Sequence, residues 1–349
     1  MASKNNDMSK PKKVMGQSIP DDAWLAKLEE PALEPELAIV DPHHHLWIRN
    51  GHTYLMPELT ADIATGHNVV ATVFAECHSM YRKGGPEVLR SLGETEFVAG
   101  CAAMAESGVF GDTRSCQAMF GNVDLMLGER TRQVFERHLE RSGGRFRGVR
   151  YSTAWDASEW VNNVAAHPNL LAAPEVQASA RIMADMQLSL DCWVYHPQLG
   201  EVAELARAIP ELTIILNHSG VPILGGPYRE HRAEVFEDWR RGMETVAQCP
   251  NVSIKLGALP IFRGKNIDRA MPPTSQEVAS AWRPWMEVCI EAFGVERSMF
   301  ESNFPVQKLW SSYQVTWNAF KRIAAGASAD EKAALFAGAA QAAYRLESE

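Results

Sequence analysis

DPHHHLW, residues 41–47, places three consecutive histidines directly after a short apolar run, LAIV at residues 37–40. The apolar run predicts a buried β-strand, so the histidines are expected where that strand ends. Because side chains alternate across a strand, His43 and His45 share one face and His44 points to the other. A His-x-His pair at a strand end can bind one metal ion through two imidazole nitrogens. The alternative is that these residues only form a turn.

Composition is that of a globular protein with a large core, and it excludes several classes of protein. The chain has 349 residues, 46% of them hydrophobic, which suits one α/β barrel of about 250 residues with extensions as well as two small domains. The net charge of −9 argues against nucleic acid as a partner. No apolar run is long enough for a membrane span, and the basic start lacks the apolar core of a secretory signal. Six scattered cysteines predict buried free thiols, and we expect a cytoplasmic homo-oligomer.

Apolar, β-rich runs recur along the chain and alternate with helical patterns. This alternation predicts βαβ units and a parallel sheet. Eight runs predict a closed (β/α)8 TIM barrel, with an open doubly wound sheet as the alternative. The predicted strands lie near residues 37–41, 69–76, 96–103, 146–151, 188–194, 212–217, 251–256 and 298–303.

The barrel is predicted to occupy residues 36–349, preceded by a polar N-terminal arm at residues 1–35. One short helix is expected within the arm, at residues 21–30. Two helices are expected at the C-terminal end, and the second begins at a capping box in which Ser328 precedes Glu331 by three residues. The longest intervals between predicted strands, residues 104–145 and 257–297, are candidate lids over the barrel mouth.

Six of the eleven histidines lie at or just past predicted strand ends. Barrel enzymes build their active sites from the loops at the C-terminal ends of the strands. A histidine packed in the core is the alternative for any single one, but the set as a whole points to a site at the mouth. The six are His43, His44, His45, His78, His196 and His218.

The ordered motifs of the chain resemble those of the amidohydrolase superfamily. They are D-x-H-x-H at strand one, a histidine after strand five, N-H-x-G at strand six and S-N-x-P at strand eight. The resemblance covers about residues 37–346 and is nearest to the amidohydrolase-related branch, which includes sugar-lactone and 2-pyrone-4,6-dicarboxylate lactonases. It implies that His43, His45 and His196 bind a divalent metal, with zinc the first candidate, and that His218 is catalytic.

Asn303 departs from the pattern of that family, in which most members carry a metal-binding aspartate that also accepts a proton. An amide is a neutral, weaker ligand and cannot act as a base. Glu301 or Glu76 is therefore predicted to be the base, and Asn303 to hydrogen-bond substrate or water. An ion pair of Glu301 with Arg150 or Lys255 is the alternative. Some lactonases of this branch work without a metal, so the resemblance leaves a metal-free mechanism open.

Cations and aromatic side chains near the strand ends are predicted to bind the substrate: Arg150, Lys255, Tyr195 and Trp310. Such a combination suits a small cyclic or aromatic carboxylic acid, whose carboxylate an arginine can hold with two hydrogen bonds. Packing of helices on the barrel is the alternative for the aromatic residues. We therefore predict a hydrolase, foremost a lactonase that acts on a small organic acid or lactone. A decarboxylase or hydratase on the same fold, or a barrel that binds a small acid without turnover, is the alternative.

Overall fold

The computed structural model describes residues 19–262 and 269–347, and its centre is a sheet of eight parallel strands paired in chain order. The sheet closes where the N–H of His45 donates to the carbonyl oxygen of Phe304 at 2.7 Å and the N–H of Asn303 donates to that of His43 at 2.9 Å. The predicted (β/α)8 barrel is confirmed. Its strands are β1 (Ala38–His44), β4 (Asn68–Ala75), β5 (Arg114–Gly121), β6 (Phe146–Ser152), β7 (Ser189–Trp193), β8 (Ile214–Leu216), β9 (Val252–Leu256) and β10 (Ser298–Phe300), and an antiparallel hairpin follows β1 as β2 (Trp47–Arg49) and β3 (His52–Tyr54).

Helices alternate with the barrel strands and surround them. Side-chain caps begin several of them: the Thr274 and Glu277 side chains form a capping box, and Ser312 accepts from the N–H of Val315. The helices are α1 (Asp22–Leu25), α2 (Met56–Ile63), α3 (Leu92–Glu106), α4 (Thr131–Arg141), α5 (Pro174–Asp185), α6 (Leu199–Ala208), α7 (Arg232–Ala247), α8 (Ser275–Phe293), α9 (Tyr313–Ile323), α10 (Ala329–Ala333) and α11 (Ala339–Tyr344), with a π-helical turn at Ala334–Gly338.

The third predicted strand, residues 96–103, is wrong, because these residues belong to helix α3. A short apolar run does not by itself distinguish a buried helix from a buried strand. The third barrel strand is β5, which lies in the interval 104–145 that was predicted to form a lid. That interval also contains α4, so it is mostly barrel wall. The buried positions of α3 recur every three or four residues, as one helix face requires: Leu92, Thr95, Val98, Ala102 and Ala105.

The longest loop at the C-terminal end of a described strand is residues 153–173, between β6 and α5. Two tyrosine hydroxyls connect it to neighbouring loops. Tyr228 Oη donates to Asp156 Oδ2 at 2.7 Å, and Tyr195 Oη donates to the carbonyl oxygen of Asn162 at 2.6 Å. The second predicted lid contains α8. In the loop before that helix, residues 263–268 lie outside the described residues.

Both ends of the described chain pack on the barrel. The predicted capping box of Ser328 and Glu331 is confirmed at the start of α10. Helix α11 covers the end of the barrel opposite the mouth, where Tyr344 packs with Val73 and Phe120 and its carbonyl oxygen accepts from Nε of Arg147. The helix expected at residues 21–30 is the shorter α1. All six cysteines are free and buried, as predicted. Within the described ranges, no helix combines the length and apolar character that crossing a membrane requires.

Candidate active site

Polar side chains from the C-terminal ends of the strands meet at one mouth of the barrel. His43 belongs to β1 and Arg150 to β6, whereas Glu76, His218 and Glu301 follow β4, β8 and β10. All five are buried. Parallel strands end at the same edge of a barrel, so residues far apart in the chain become neighbours there. Contacts of 2.6 to 3.3 Å join all five side chains into one cluster.

Glu301 lies at the centre of this cluster, and its carboxylate faces two histidines. Nδ1 of His218 donates to Oε1 at 2.6 Å, and the backbone N–H of His218 donates to the same oxygen at 3.1 Å. Nδ1 of His43 lies 2.9 Å from Oε2. The Glu301 side chain is fully buried, whereas 9% of the His218 side chain is exposed. Glu301 therefore contacts both histidine rings. Of the two residues, His218 is the one whose exposure places it at the mouth.

Both ring nitrogens of His43 are used inside the protein. Burial, followed by the nearby ammonium group of Lys255, lowers the pKa of His43 well below its usual range, so the ring is neutral and carries one N–H. Nε2 lies 3.3 Å from Nη1 of Arg150, and Nδ1 lies 2.9 Å from Oε2 of Glu301 and 3.3 Å from Nζ of Lys255. Because Arg150 and Lys255 can only donate, one ring nitrogen accepts from a cation and the other, which carries the hydrogen, faces a cation.

Arg150 is a buried cation that Glu76 holds in place. Its Nε donates to Oε1 of Glu76 at 2.7 Å, and its Nη2 donates to the carbonyl oxygen of Glu76 at 2.6 Å. Burial disfavours the charge, but the Glu76 carboxylate outweighs it and raises the pKa of Arg150 above its usual value. Glu76, a predicted base, is thus ion-paired with the cation predicted to bind substrate. Three of the five guanidinium N–H groups are used here and at His43, which leaves two for a ligand.

Lys255, also predicted to bind substrate, lies deeper in the barrel than Glu301. It is fully buried and pairs in register with Met299, two residues before Glu301. Its Nζ donates to Oδ1 of Asp191 at 2.8 Å and lies 3.3 Å from Nδ1 of His43. Asp191 is not among the residues predicted for the site. The signal that could have identified it is a charged residue inside an otherwise apolar strand, because a buried carboxylate requires a partner.

His45 and Asn303 face each other on the other side of His43. Nδ1 of His45 donates to the carbonyl oxygen of Ala75 at 2.9 Å, and Nε2 lies 3.2 Å from the Asn303 side-chain amide. Burial, the largest cause, lowers the pKa of His45 well below its usual range, so Nε2 carries a lone pair. The amide nitrogen of Asn303 is therefore assigned to the His45 side, where it donates. Asn303 lies at the mouth as a hydrogen-bonding group.

Three predicted site residues lie away from Glu301. Nδ1 of His196 accepts from the backbone N–H of Ile223 at 3.2 Å, and its ring packs against Tyr228. Tyr195 packs in a small apolar cluster with Ile223, and Trp310 is buried in the main hydrophobic core. The structure thus places these three in the walls around the mouth rather than in the cluster.

The group best placed for a metal ion among the described residues is His43, His218 and Glu301, whose ligand atoms lie within 4.8 Å of one another. Two imidazoles and a carboxylate are a ligand set that zinc accepts. The predicted ligands His45 and His196 are not in this group. This group shares His43 with the predicted set, and a metal-binding role of His45 and His196 stays a prediction.

The arrangement of these donors does not fit a resident divalent metal, although their chemical type does. His43 has no free lone pair, because one ring nitrogen carries the hydrogen and the other faces Arg150 or Lys255 at 3.3 Å. These two cations lie next to the two ring nitrogens and would repel a third cation. A metal bound to His43 would have to displace one of them.

Glu94 of α3 is a buried carboxyl group next to the cluster. Its Oε1 accepts from the N–H groups of Cys77 at 3.0 Å and Ser79 at 2.8 Å. Burial, followed by repulsion from Glu76, raises the pKa of Glu94 from 4.5 to about 8. The folded protein therefore holds a proton that the unfolded chain releases. This contribution to stability is complete below pH 4.5 and is lost as the pH rises toward 8.

We expect Glu94→Gln to remove that pH dependence, because the amide keeps the accepting oxygen and cannot ionise. Between about pH 5 and pH 8, the Tm of the wild type should fall relative to that of Glu94→Gln. Thermal denaturation monitored by circular dichroism measures this. Glu136→Gln, at an exposed position of α4, is the matched control and should follow the wild type. Parallel curves for Glu94→Gln and the wild type would contradict the expectation.

The fold and this cluster define a (β/α)8 barrel with a histidine and carboxylate site at the C-terminal mouth, the place where barrel enzymes carry their active sites. The amidohydrolase family model matches residues 40–346. The chain therefore belongs to the amidohydrolase family, whose members commonly bind a divalent metal.

The chain is also similar to individual proteins, at low sequence identity. The uncharacterized protein y4mH of Sinorhizobium fredii is 32% identical over 338 residues, which cover 89% of this chain and 99% of that protein. An L-fucono-1,5-lactonase of Burkholderia multivorans is 27% identical over 239 residues, which cover 67% of this chain and 73% of the relative. A crystal structure of a Burkholderia multivorans amidohydrolase with bound zinc superposes with a TM-score of 0.68 at 22% identity, covering 89% of this chain and all of that one.

Proposed function

We propose that this protein is a lactonase that opens the cyclic ester of a small sugar acid by hydrolysis. The observation that carries the proposal is the His218–Glu301 pair, in which Nδ1 is held by a carboxylate and Nε2 has no hydrogen-bond partner among the described residues. The similarity to L-fucono-1,5-lactonase supports a sugar lactone as the substrate rather than an aromatic acid. The buried hydrogen-bonding groups around the mouth also suit a polyhydroxylated ring.

His218 acts as the general base in this proposal. Its Nε2 faces a water molecule and removes a proton as the water oxygen attacks the lactone carbonyl carbon. Glu301 is fully buried and acts through His218 rather than on water, which differs from the direct role predicted for it. A carboxylate on Nδ1 fixes the ring orientation and stabilises the imidazolium that forms.

The charges around Glu301 favour this step. Among the buried carboxylates of the cluster, Glu76 is hydrogen-bonded to Arg150 and Asp191 to Lys255, so each has a permanent cation. Glu301 instead accepts a hydrogen bond from the imidazole of His218 and lies 2.9 Å from Nδ1 of His43. When His218 accepts a proton, it becomes the positively charged partner of Glu301. The positive charge therefore forms next to an existing negative charge.

Arg150 stabilises the negative charge that develops on the carbonyl oxygen. Glu76 fixes the guanidinium, and its two unused N–H groups are available to the substrate. As the tetrahedral intermediate collapses, the bond between the carbonyl carbon and the ring oxygen breaks, and the His218 imidazolium returns its proton to that oxygen. The product is an open-chain hydroxy acid, which ionises and releases one proton per ring opened.

A substrate panel tests the proposal. We expect turnover of 1,5- and 1,4-lactones of sugar acids, with one proton released per ring in a pH-indicator assay. The panel includes the corresponding lactams, linear esters and aromatic acids, the last with detection of carbon dioxide. Carbon dioxide release from an aromatic acid without lactone turnover would replace the proposal by a decarboxylase. Binding of sugar lactones without any product would replace it by a binding protein.

Removal of metal is expected to leave lactone turnover unchanged, because both ring nitrogens of His43 already face a cation of the protein at 3.3 Å. The measurement is kcat before and after dialysis against a chelator, with metal content determined by mass spectrometry in both samples. Loss of activity together with recovery on adding one equivalent of zinc would contradict this expectation. The wild type treated with chelator and then with excess calcium controls for nonspecific effects of the chelator.

Gly257→Ala is expected to lower kcat by displacing Glu301. A Cβ atom on Gly257 would lie 2.5 Å from both Cγ and the backbone oxygen of Glu301, and the backbone oxygen cannot move aside as a flexible side chain would. Misplacement of a catalytic group by about 1 Å lowers rates by up to about 10²-fold. Steady-state kinetics measure the effect. Gly100→Ala in α3, where an added Cβ meets nothing within 4 Å, is the control and should retain full activity. Equal rates for both variants would contradict the role of Glu301.

A further inference from the structure

Tyr344 of α11 extends into the barrel from the end opposite the mouth. It is fully buried, and its ring stacks on Phe120 of β5 at 5.7 Å between centroids. Its Oη donates to Oδ1 of Asp191 at 2.8 Å. A tyrosine that only sealed the barrel would need no acceptor at this depth, where Phe would pack equally well. Packing alone therefore does not account for the Tyr344 hydroxyl.

The same oxygen of Asp191 accepts from three donors. Asn217 Nδ2 and Lys255 Nζ each donate to Oδ1 at 2.8 Å, as Tyr344 does. The second oxygen, Oδ2, has no hydrogen-bond partner among the described residues. Because the three donors share one atom, the orientation of the carboxylate and the position of each donor depend on the others.

Lys255 connects this group to the proposed active site. Its Nζ lies 3.3 Å from Nδ1 of His43 and 5.1 Å from the centroid of the Tyr344 ring. Nδ1 of His43 also faces Glu301, which holds His218. A path of direct contacts thus leads from the last helix through Asp191 and Lys255 to the carboxylate that orients the base.

We infer that Tyr344 is a positioning residue of the active site: its hydroxyl fixes Asp191, and Asp191 holds the Lys255 ammonium group away from Glu301. Without the hydroxyl, only Asn217 and Lys255 hold Oδ1, so the carboxylate can rotate and carry Lys255 with it. Lys255 then competes with His43 and His218 for Glu301. The kinetic part of this inference rests on the proposed lactonase function, whereas the geometric part does not.

Tyr344→Phe tests the inference, because it removes the hydroxyl and keeps the ring. We expect kcat to fall by about three- to thirty-fold, the range typical of variants that act through a contact network, with KM unchanged. The matched control is Tyr54→Phe. Tyr54 is also fully buried and donates to an aspartate, Asp62, at 2.8 Å, but it lies in the β3 strand outside the cluster. Loss of the Tyr54 hydroxyl should leave kcat unchanged.

A double-variant cycle separates positioning from a structural role. In a Lys255→Met background, Tyr344→Phe should have no further effect on kcat if it acts through Lys255. Equal effects of Tyr344→Phe with and without Lys255 would overturn the inference. An unchanged kcat in Tyr344→Phe alone would also overturn it.

Nuclear magnetic resonance provides a readout that needs no turnover and no Lys255 variant. The Nδ1 proton of His218, which faces Glu301, is expected as a downfield signal in protein with ¹⁵N-labelled histidine, and His218→Asn assigns it. Tyr344→Phe should shift this signal, and Tyr54→Phe should not. An unshifted signal in Tyr344→Phe would refute the positioning role even if no lactone were hydrolysed, whereas a shifted signal without any lactone turnover would refute the proposed function alone.

Discussion

Replacing His218 by Asn is expected to lower kcat for lactone hydrolysis by about 10²–10⁴-fold, the contribution typical of a general base. Asn cannot accept a proton from water, and it removes the ring whose Nδ1 donates to Glu301 at 2.6 Å. The substitution suits the backbone, because residue 218 has a φ of 56° and Asn is among the side chains that adopt this conformation most readily. The loss is therefore expected without a change in fold.

The measurement is steady-state kinetics together with a thermal denaturation curve. His231→Asn is the matched control, because His231 lies exposed at the start of α7 and pairs with Glu234 at 3.1 Å. It should keep the wild-type rate. A His218→Asn variant that folds and retains full activity would show that another group removes the proton, and the chemistry proposed for Glu301 would fail with it.

We expect Arg150→Met to have the second largest effect, and to lower both the activity and the stability of the protein. Removal of one donor to a developing oxyanion typically lowers kcat by about 10²–10³-fold. The same change leaves the Glu76 carboxylate buried without its cation, and breaking a buried pair in this way destabilises proteins by about 3–5 kcal/mol. Kinetics and denaturant unfolding measure the two effects separately.

A double variant distinguishes the effect on activity from the effect on stability. Arg150→Met with Glu76→Gln removes the unpaired charge, so the free energy of unfolding should recover while kcat stays low. Arg240→Met, at a surface arginine paired with Glu237 and Glu244, controls for the change of residue type and should be nearly neutral. Recovery of activity in the double variant would show that Arg150 serves stability alone.

Much of the site was predictable because barrel strands end where active sites form. Apolar runs located seven of the eight strands, and the polar residues that follow them include His43, His218 and Glu301. The third strand was missed because residues 96–103 are apolar in a manner that fits helix and strand equally. The true strand β5 reads RSCQAMFG, in which polar residues interrupt the apolar run.

The class of fold, the family and the strand ends that carry the polar groups can all be inferred from the amino-acid sequence. This is possible because hydrophobic periodicity and motif order are local properties of the chain. The pairing of the polar groups, in contrast, is visible only in the folded barrel. Glu301 meets a histidine 83 positions away in the chain, and Asp191 meets a tyrosine 153 positions away. Such pairs depend on the register and depth of each strand in the closed barrel, and a shift of one residue would turn every side chain of a strand to its other face.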